Sequence, residues 1–484
     1  MSGTTPNLPP LGLALTPLVA LLVTLPAIIM IGGADSVSRI GGWILAACAL
    51  LAVALACIAR TATRRGLLYG LRRSASQILP AIPILLCIAI VSTTWMMSGV
   101  VPTLICYGLE VLSPAFFLVL ACAISACISV LTGSSWTTIA TIGVAFMGIG
   151  EAMGCPAGWV AGAVISGGYF GDKVSPLSET TVLAASTAGV ELFRHIRYMM
   201  VTTVPSFVIA LIVYACVGFF GSRDSAVASS ELAIALHDTF RISAWTLLIP
   251  VVTIILILCR VNTLRVLLAA SLLGAAGVFI FQPQLAGGAL PMLKSIWSGY
   301  AGTSGNAEID SLISTGGING MLPTIFLVTC AMLFGAAMIG TGMLNRLTQA
   351  FTARLRKRTS IVGATVASGL SMNCLTADQY LSLIITGNMY RNLYRRFGLE
   401  PRLLSRAMED AVSVTSVLIP WNSCGITQST VLGVSTIVYA PFCVFNYVSP
   451  LMSVFIAWIG YRIPRTAHLT PAPRQTISGA VQER

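Results

Sequence analysis

Four short polar stretches interrupt apolar segments that are long enough to cross a membrane, two in each half of the chain. They lie at residues 132–138 and 171–181 in the first half, and at 373–379 and 409–422 in the second. Polar, helix-breaking backbone is tolerated at membrane depth only where protein or a water-filled cavity surrounds it. The matched pairs therefore predict a site at the bilayer midplane built from two internal repeats, which is how secondary transporters are organised.

The overall composition places these segments in a membrane protein. Hydrophobic residues make up 56% of the 484 residues, charged residues only 9%, and the mean hydropathy is +0.88. Charged residues make up about a quarter of a soluble globular protein, so this chain is a polytopic membrane protein. The net charge of +12 does not indicate nucleic acid, because the Arg residues fall in short loops between apolar spans, where they set orientation.

The sequence lacks the signatures of an enzyme or a metal centre. No GxGxxG, Walker A, HExxH or GxSxG motif occurs. The 13 Cys form no CxxC pair and are interpreted as small buried side chains. His195, His237 and His468 are expected in loops or the tail, too scattered to bind a metal. We therefore expect no enzymatic activity and no cofactor, and an ion gradient as the energy source.

The basic loops predict the topology. Clusters of Arg and Lys fall within residues 60–73, 194–197, 260–265, 346–358, 391–406 and 462–465. If all of them face the cytoplasm, a simple zigzag of spans fails. The pattern works if residues 113–150 and 360–388 are hairpins that enter and leave the membrane on one side. The polar breaks at 132–138 and 373–379 are then the hairpin tips.

This assignment predicts an all-α polytopic membrane protein with about ten transmembrane helices plus two re-entrant hairpins in an inverted-topology repeat. The first repeat is 11–220, with hairpin 113–150 and broken helix 157–190, and the second is 243–461, with hairpin 360–388 and broken helix 410–434. Both termini are expected in the cytoplasm, including a tail at 465–484. The first ten residues carry no Lys or Arg, so no cleavable signal is expected.

Few carboxylates lie at membrane depth, and each is a candidate for function. Asp378, at a predicted hairpin tip, is the strongest; its alternative is a helix N-cap. Asp172 could instead pair with Lys173 or an Arg. Glu179 is the third candidate. Glu409 and Asp410 stand beside the Arg-rich loop, where a solvated helix start is an equal alternative.

A sodium site needs oxygen donors from carboxylates, hydroxyls and backbone carbonyls freed at a helix break. We expect sodium to bind through Asp378, Asp172 and Thr376. The other oxygen donors expected around the ion or substrate are Glu179, Ser134, Ser135, Thr137, Ser175, Ser178, Thr415 and Asn422.

Several of these stretches resemble one known family. They are Gly133–Gly143, Ser166–Thr181, Leu375–Tyr380, Ser405–Asp410 and Ile419–Gly425, and together they look like the NhaC family of sodium/proton antiporters. The resemblance covers most of residues 78–461. It implies membership of a superfamily whose sodium-coupled carriers bind ions and substrate at hairpin tips and broken helices. The family also includes exchangers of malate and lactate, and members that look like amino-acid transporters.

The predicted function is sodium/proton antiport in a bacterial inner membrane, with a carboxylate cluster for which the two ions compete. The alternative is a sodium-coupled transporter of an organic acid, of the malate or lactate type, or of an amino acid, its anionic group held by hydroxyls and helix N-termini. A channel is disfavoured, because matched broken helices in inverted repeats suit alternating access. The expected partners are sodium, protons and membrane lipid, with no nucleic acid; a homodimer is left open.

Overall fold

The computed structural model describes residues 8–32, 36–221, 234–259, 261–302, 310, 313–352 and 358–461. The predicted tail at 465–484, His468 and the basic residue Arg260 lie outside these ranges. The described part is built of helices, as the hydropathy predicted.

In the first half the helices are α1 Leu11–Gly32, α2 Ser36–Ile58, α3 Arg64–Met97, α4 Val100–Val111, α5 Pro114–Thr132, α6 Ser135–Thr138, α7 Val144–Ala152, α8 Ala157–Val174, α9 Glu179–Ala188 and α10 Leu192–Gly221. A π-helical turn, Ile139–Gly143, joins α6 to α7. Helices therefore begin or end at each polar break predicted in this half.

In the second half they are α11 Leu248–Leu258, α12 Thr263–Phe281, α13 Pro283–Ala286, α14 Ala289–Ser298, α15 Gly317–Gly340, α16 Met343–Thr352, α17 Arg358–Thr376, α18 Gln379–Arg396, α19 Pro401–Met408, α20 Ser423–Leu432, α21 Thr436–Tyr439 and α22 Val444–Ile459. A π-helical turn, Glu409–Ser413, follows α19, and a 3₁₀ turn, Ser416–Leu418, leads to the break before α20. Two further 3₁₀ turns are Ala244–Leu247 and Ala440–Phe442.

The described helices confirm a multi-pass membrane protein. Five are long and apolar enough to cross a membrane, or seven if each of two bent helix pairs counts as one span. One bent pair is Ile82–Met97 with Val100–Glu110, at 65°, and the other is Thr436–Phe442 with Val444–Ile459, at 56°. The count of ten spans, the two hairpins and the inverted repeat stay predictions.

Small residues let the helices that carry the breaks approach closely. Helix α5 packs along α8, and a Cβ added at Gly167 would lie 2.1 Å from the carbonyl oxygen of Cys122. A Cβ at Gly171 would lie 2.4 Å from the carbonyl oxygen of Ala126. Only glycine fits at such contacts, which are the usual basis of helix association in lipid. The approach holds the break after α8 beside the break after α5.

The structure corrects the expected position of two histidines. His195 was expected in a loop, but it lies in the first turn of α10, is fully buried, and its Nδ1 is 2.8 Å from the Ser405 hydroxyl. Helix α10 begins three residues earlier because Glu191 accepts hydrogen bonds from the Phe193 and Arg194 N–H groups. His237 was also expected in a loop and lies in a helical segment within 234–239.

Candidate functional site

The two predicted hairpin tips share one local structure. Gly133 and Ala377 both adopt the left-handed backbone region, with φ of 68° and 55°. The next residue caps the following helix in each case: Ser134 accepts from the Thr137 N–H at 3.2 Å, and Asp378 accepts from the Leu381 N–H at 2.8 Å. The chain therefore turns at the two breaks by the same means.

Threonine and serine hydroxyls close both tips in the same way. Thr132 and Thr376, two residues before each cap, donate to the carbonyl oxygens of Ser134 and Asp378 at 3.2 and 2.9 Å. The residues four after each cap, Thr138 and Ser382, donate to the same two carbonyls at 3.0 and 2.7 Å. The hydrogen bonds made by the residues two before the cap, at the cap and four after it therefore match at the two breaks.

Each tip lies against the broken helix of its own half. In the first half the Ser135 hydroxyl donates to Asp172 Oδ2 at 2.7 Å, and Ser178, the N-cap of α9, also faces this carboxyl. In the second half the Ser423 N–H donates to the Ala377 carbonyl at 2.9 Å, and the Ser423 hydroxyl is 3.5 Å from Asp378 Oδ2. Asp172 and Asp378 each lie at the contact between a predicted hairpin tip and the interrupted helix of the same half.

The Asp378 carboxylate makes the cap contact considered for it. One carboxylate oxygen caps α18, so the N-cap alternative is confirmed. The other oxygen lies 3.5 Å from the Ser423 hydroxyl, and the residue is 3% exposed. A buried carboxylate oxygen without a full set of donors is free to bind a cation.

The remaining predicted oxygens divide into two groups. Thr376 lies at the Asp378 tip, and Ser135 and Ser178 lie at Asp172. The others bond mainly to their own surroundings: Thr137 donates to Ser134, Ser175 donates to the Val130 carbonyl, Thr415 accepts from Asn373, and Asn422 caps α20. This second group holds the breaks in place.

Glu179 links the two halves of the chain. It is exposed at the start of α9, and its Oε2 accepts from the Tyr380 hydroxyl at 3.1 Å. Tyr380 belongs to the second tip, so Glu179 connects the first broken helix with the second predicted hairpin. The negative side chain at a helix N-terminus is also favourable for the helix dipole.

A second link is a buried ion pair. Lys173 does not pair with Asp172, as one alternative had it, but with Asp410, and both are at most 1% exposed. The Ser449 and Thr202 hydroxyls donate to the same Asp410 oxygen at 3.0 and 3.1 Å. Arg406 Nε lies 3.8 Å from the other oxygen.

The solvated helix start considered for Glu409 and Asp410 is therefore wrong. Both residues are fully buried, because the turn that carries them packs against α17, α18, α19 and α22. The ion pair was not predicted from the sequence, although Arg406 and Asp410 stand one helical turn apart and Lys173 follows Asp172. Ser382, Ser423, Gln379 and Cys424 were also missed; Cys424 donates to Gln379 Oε1 at 2.8 Å.

No group of three or more His, Cys, Asp or Glu that could hold a metal ion occurs within the described ranges. The donors at the two tips are instead single carboxylates with hydroxyls and freed carbonyls, a donor set that suits a transported alkali cation.

The fold and the site together define the class: an all-α, multi-pass membrane protein in which buried carboxylates and hydroxyls gather where helices are broken, as in ion-coupled secondary transporters. The model of the Na+/H+ antiporter family matches residues 7–198 and 167–461. The chain belongs to this family, which confirms the resemblance drawn from its motifs.

Relatives carry three different functional names. A protein named Na(+)/H(+) antiporter NhaC from Alkalihalophilus pseudofirmus is 37% identical over 386 residues, covering 80% of this chain and 83% of the relative. The malate-2H(+)/Na(+)-lactate antiporter of Bacillus subtilis is 35% identical, covering 79% and 81%. The arginine/ornithine antiporter ArcD of Halobacterium salinarum is 35% identical, covering 81% of each chain.

Proposed function

We propose that this protein exchanges sodium for protons across a bacterial inner membrane. The observation that carries the proposal is the pair of buried carboxylates, Asp172 and Asp378, each placed where a helix break frees hydroxyl and carbonyl oxygens. Ionisable groups at such depth mark ion pathways and proton relays. Two relatives named NhaC antiporters, 37% and 33% identical, support the same function.

In the proposed mechanism sodium binds through Asp378, Asp172 and Thr376, and the nearby hydroxyls complete its oxygen shell. A carboxylate that binds sodium must first lose its proton, so the two ions compete and the exchange is coupled. Helices begin at Ser135 and Gln379, next to the proposed site. The positive ends of their dipoles favour the ionised form of the carboxylates there. No enzymatic step and no cofactor is needed.

The matched tips also support an inverted-topology repeat of residues 11–220 and 243–461, with hairpins at 113–150 and 360–388. In that arrangement both termini face the cytoplasm. Sodium, protons and lipid are then the partners of the chain; a homodimer remains a prediction.

The alternative is a sodium-coupled organic-acid or amino-acid transporter. It is favoured by the malate/lactate and arginine/ornithine relatives, which are as similar to this chain as the NhaC proteins are, at 35% identity. The same hydroxyl-lined breaks could hold a carboxylate group of a substrate.

The two functions separate in proteoliposomes that contain a pH-sensitive dye and no organic ion. We expect an imposed sodium gradient to drive proton movement in the opposite direction, which protein-free liposomes do not show. Exchange that appears only after addition of malate, lactate, arginine or ornithine would replace the antiporter proposal with the alternative. A sodium/proton ionophore serves as the positive control for the dye.

A further inference from the structure

Glu409 is a buried carboxyl group that the proposed mechanism does not use. It is 0% exposed, and neither of its side-chain oxygens has a hydrogen-bond partner among the described residues. The Ser413 hydroxyl, one turn further along the same π-helical turn, is also buried and unpartnered there. Single π-helical turns are rare and occur often at functional sites. An ionised carboxylate in this position would be costly, so the structure fits its protonated, neutral form.

Glu409 lies beside a buried ion pair that joins the two halves of the chain. Asp410 is the next residue in the chain and pairs with Lys173, and Lys173 follows Asp172. The ion pair is therefore adjacent in sequence both to a proposed sodium ligand and to Glu409. The other titratable groups on elements packed against this turn include Tyr169, Glu179, Cys374, Tyr380, Tyr390, Arg391, Tyr394, Arg395, Arg396, Arg402, Arg406 and Tyr447.

The surroundings of Glu409 suit a proton and not a sodium ion. Sodium needs a shell of several oxygens. The unpartnered polar atoms of the described residues near Glu409 in the chain are the Ser413 hydroxyl, one Asp410 oxygen and two guanidinium nitrogens of Arg406, and only two of these four are oxygens. The ammonium group of Lys173 and the guanidinium group of Arg406 add cations to the same cluster. A proton needs a single oxygen, and a freed carboxylate could accept a hydrogen bond from the Ser413 hydroxyl.

We infer that Glu409 carries a second exchanged proton, at a place separate from the sodium ligands. This inference rests on the proposed function. When sodium binds, the O–H bond of the Glu409 carboxyl breaks, the electron pair stays on the carboxylate, and the proton passes to water. The reverse step reprotonates Glu409 after sodium has left. Coupling then runs through the Lys173–Asp410 pair as well as through competition at Asp172.

The test is proton release on sodium binding by the purified full-length protein, followed with a pH dye in weakly buffered detergent solution. Sodium binding itself is followed with radioactive sodium. In Glu409→Gln we expect the protons released per sodium bound to fall about twofold, since Gln has no proton to release and competition at the sodium ligands supplies the remainder. Sodium affinity should stay close to that of the unchanged protein. Glu409→Asp should restore release with a shifted pH profile.

Glu191→Gln is the matched control, because Glu191 is exposed and caps the start of α10 through the Phe193 and Arg194 N–H groups. It should release protons normally. Unchanged release in Glu409→Gln overturns the inference and leaves the proposed function intact. If the unchanged protein itself releases no protons, the proposed function fails, and this inference with it. If Glu409→Gln does not fold, Glu409→Asp decides: a pH profile identical to that of the unchanged protein overturns the inference.

Discussion

At the scale of single residues, the substitution Asp378→Asn separates the helix-capping role of Asp378 from its proposed role in binding sodium. In Asp378→Asn the side-chain oxygen can still accept from the Leu381 N–H, so the helix cap survives. The amide cannot bind or release a proton, nor neutralise sodium. We expect sodium-driven proton flux in proteoliposomes to fall at least about tenfold, the loss that 1.4 kcal/mol of binding energy produces, with an unchanged melting temperature.

Asp378→Ala is the matched comparison, because it removes the cap as well as the charge. It should lower the melting temperature in addition to the flux. If Asp378→Asn transports sodium with near-normal affinity, Asp378 is only a cap, and the charge-carrying role moves to Asp172 and Glu179.

The partner of Lys173 shows where sequence reasoning ends at this scale. Asp172 and Asp378 could be predicted because a carboxylate inside an apolar span is conspicuous. The pairing of Lys173 could not, since adjacent residues on a helix point in different directions. Asp172 faces Ser135 in its own half, whereas Lys173 faces Asp410, 237 positions further along. Only the packing of the two broken helices brings these charges together.

At the scale of helices, the breaks were predictable and their exact form was not. Gly, Pro and dense Ser/Thr runs predicted where α5, α8 and α17 end. The π-helical turns at Ile139–Gly143 and Glu409–Ser413 depend on which side chains must fit against neighbouring helices, and the local sequence carries no signal for them.

The two tips differ in one respect that can be tested. A Cβ at Gly133 would lie 2.6 Å from the Leu177 Cβ and 2.7 Å from its backbone carbon. Ala377 already carries a Cβ in the same left-handed backbone. We expect Gly133→Ala to lower stability by more than the roughly 1–2 kcal/mol that the left-handed region costs, because the overlap adds to it. Ala377→Gly should be nearly neutral, since relief of strain offsets the added freedom of the unfolded chain.

Thermal unfolding of both variants in detergent measures the difference. Equal melting temperatures for Gly133→Ala and the unchanged protein would show that the contact between the first tip and the break after α8 is looser than the structure has it. A large loss in Ala377→Gly would show that packing of the buried Ala377 methyl group outweighs the relief of backbone strain.

At the scale of the whole molecule, the broken helices of the two halves are joined by charges and not by apolar contact alone. Lys173–Asp410 joins α8 to the turn after α19, and Tyr380–Glu179 joins the second tip to α9. Breaking a buried pair by removing one partner typically costs about 3–5 kcal/mol. A movement that alternates access must therefore keep these contacts or exchange them for others, which makes the junction between the halves the natural place for coupling.

The inverted repeat makes a prediction about the faces of the membrane. Ser298 is exposed at the end of α14, between the basic clusters 260–265 and 346–358, and the predicted topology puts it outside. Arg396 is exposed at the end of α18, in the basic cluster 391–406 predicted to be cytoplasmic. Single cysteines at these positions are placed in a background without the exposed Cys57, Cys127, Cys216 and Cys259. In intact cells an impermeant maleimide should label Ser298→Cys and leave Arg396→Cys unlabelled.

Inverted membrane vesicles reverse the exposed face and provide the control, because Arg396→Cys should then react and Ser298→Cys should not. The assignment depends on hairpins that return to their own side, so an odd number of extra crossings between the two positions would put them on one face. Labelling of both cysteines from the same side would therefore exclude the predicted order of spans and hairpins between them. The local structure of the two tips, and the ion site proposed there, would then have to belong to a different topology.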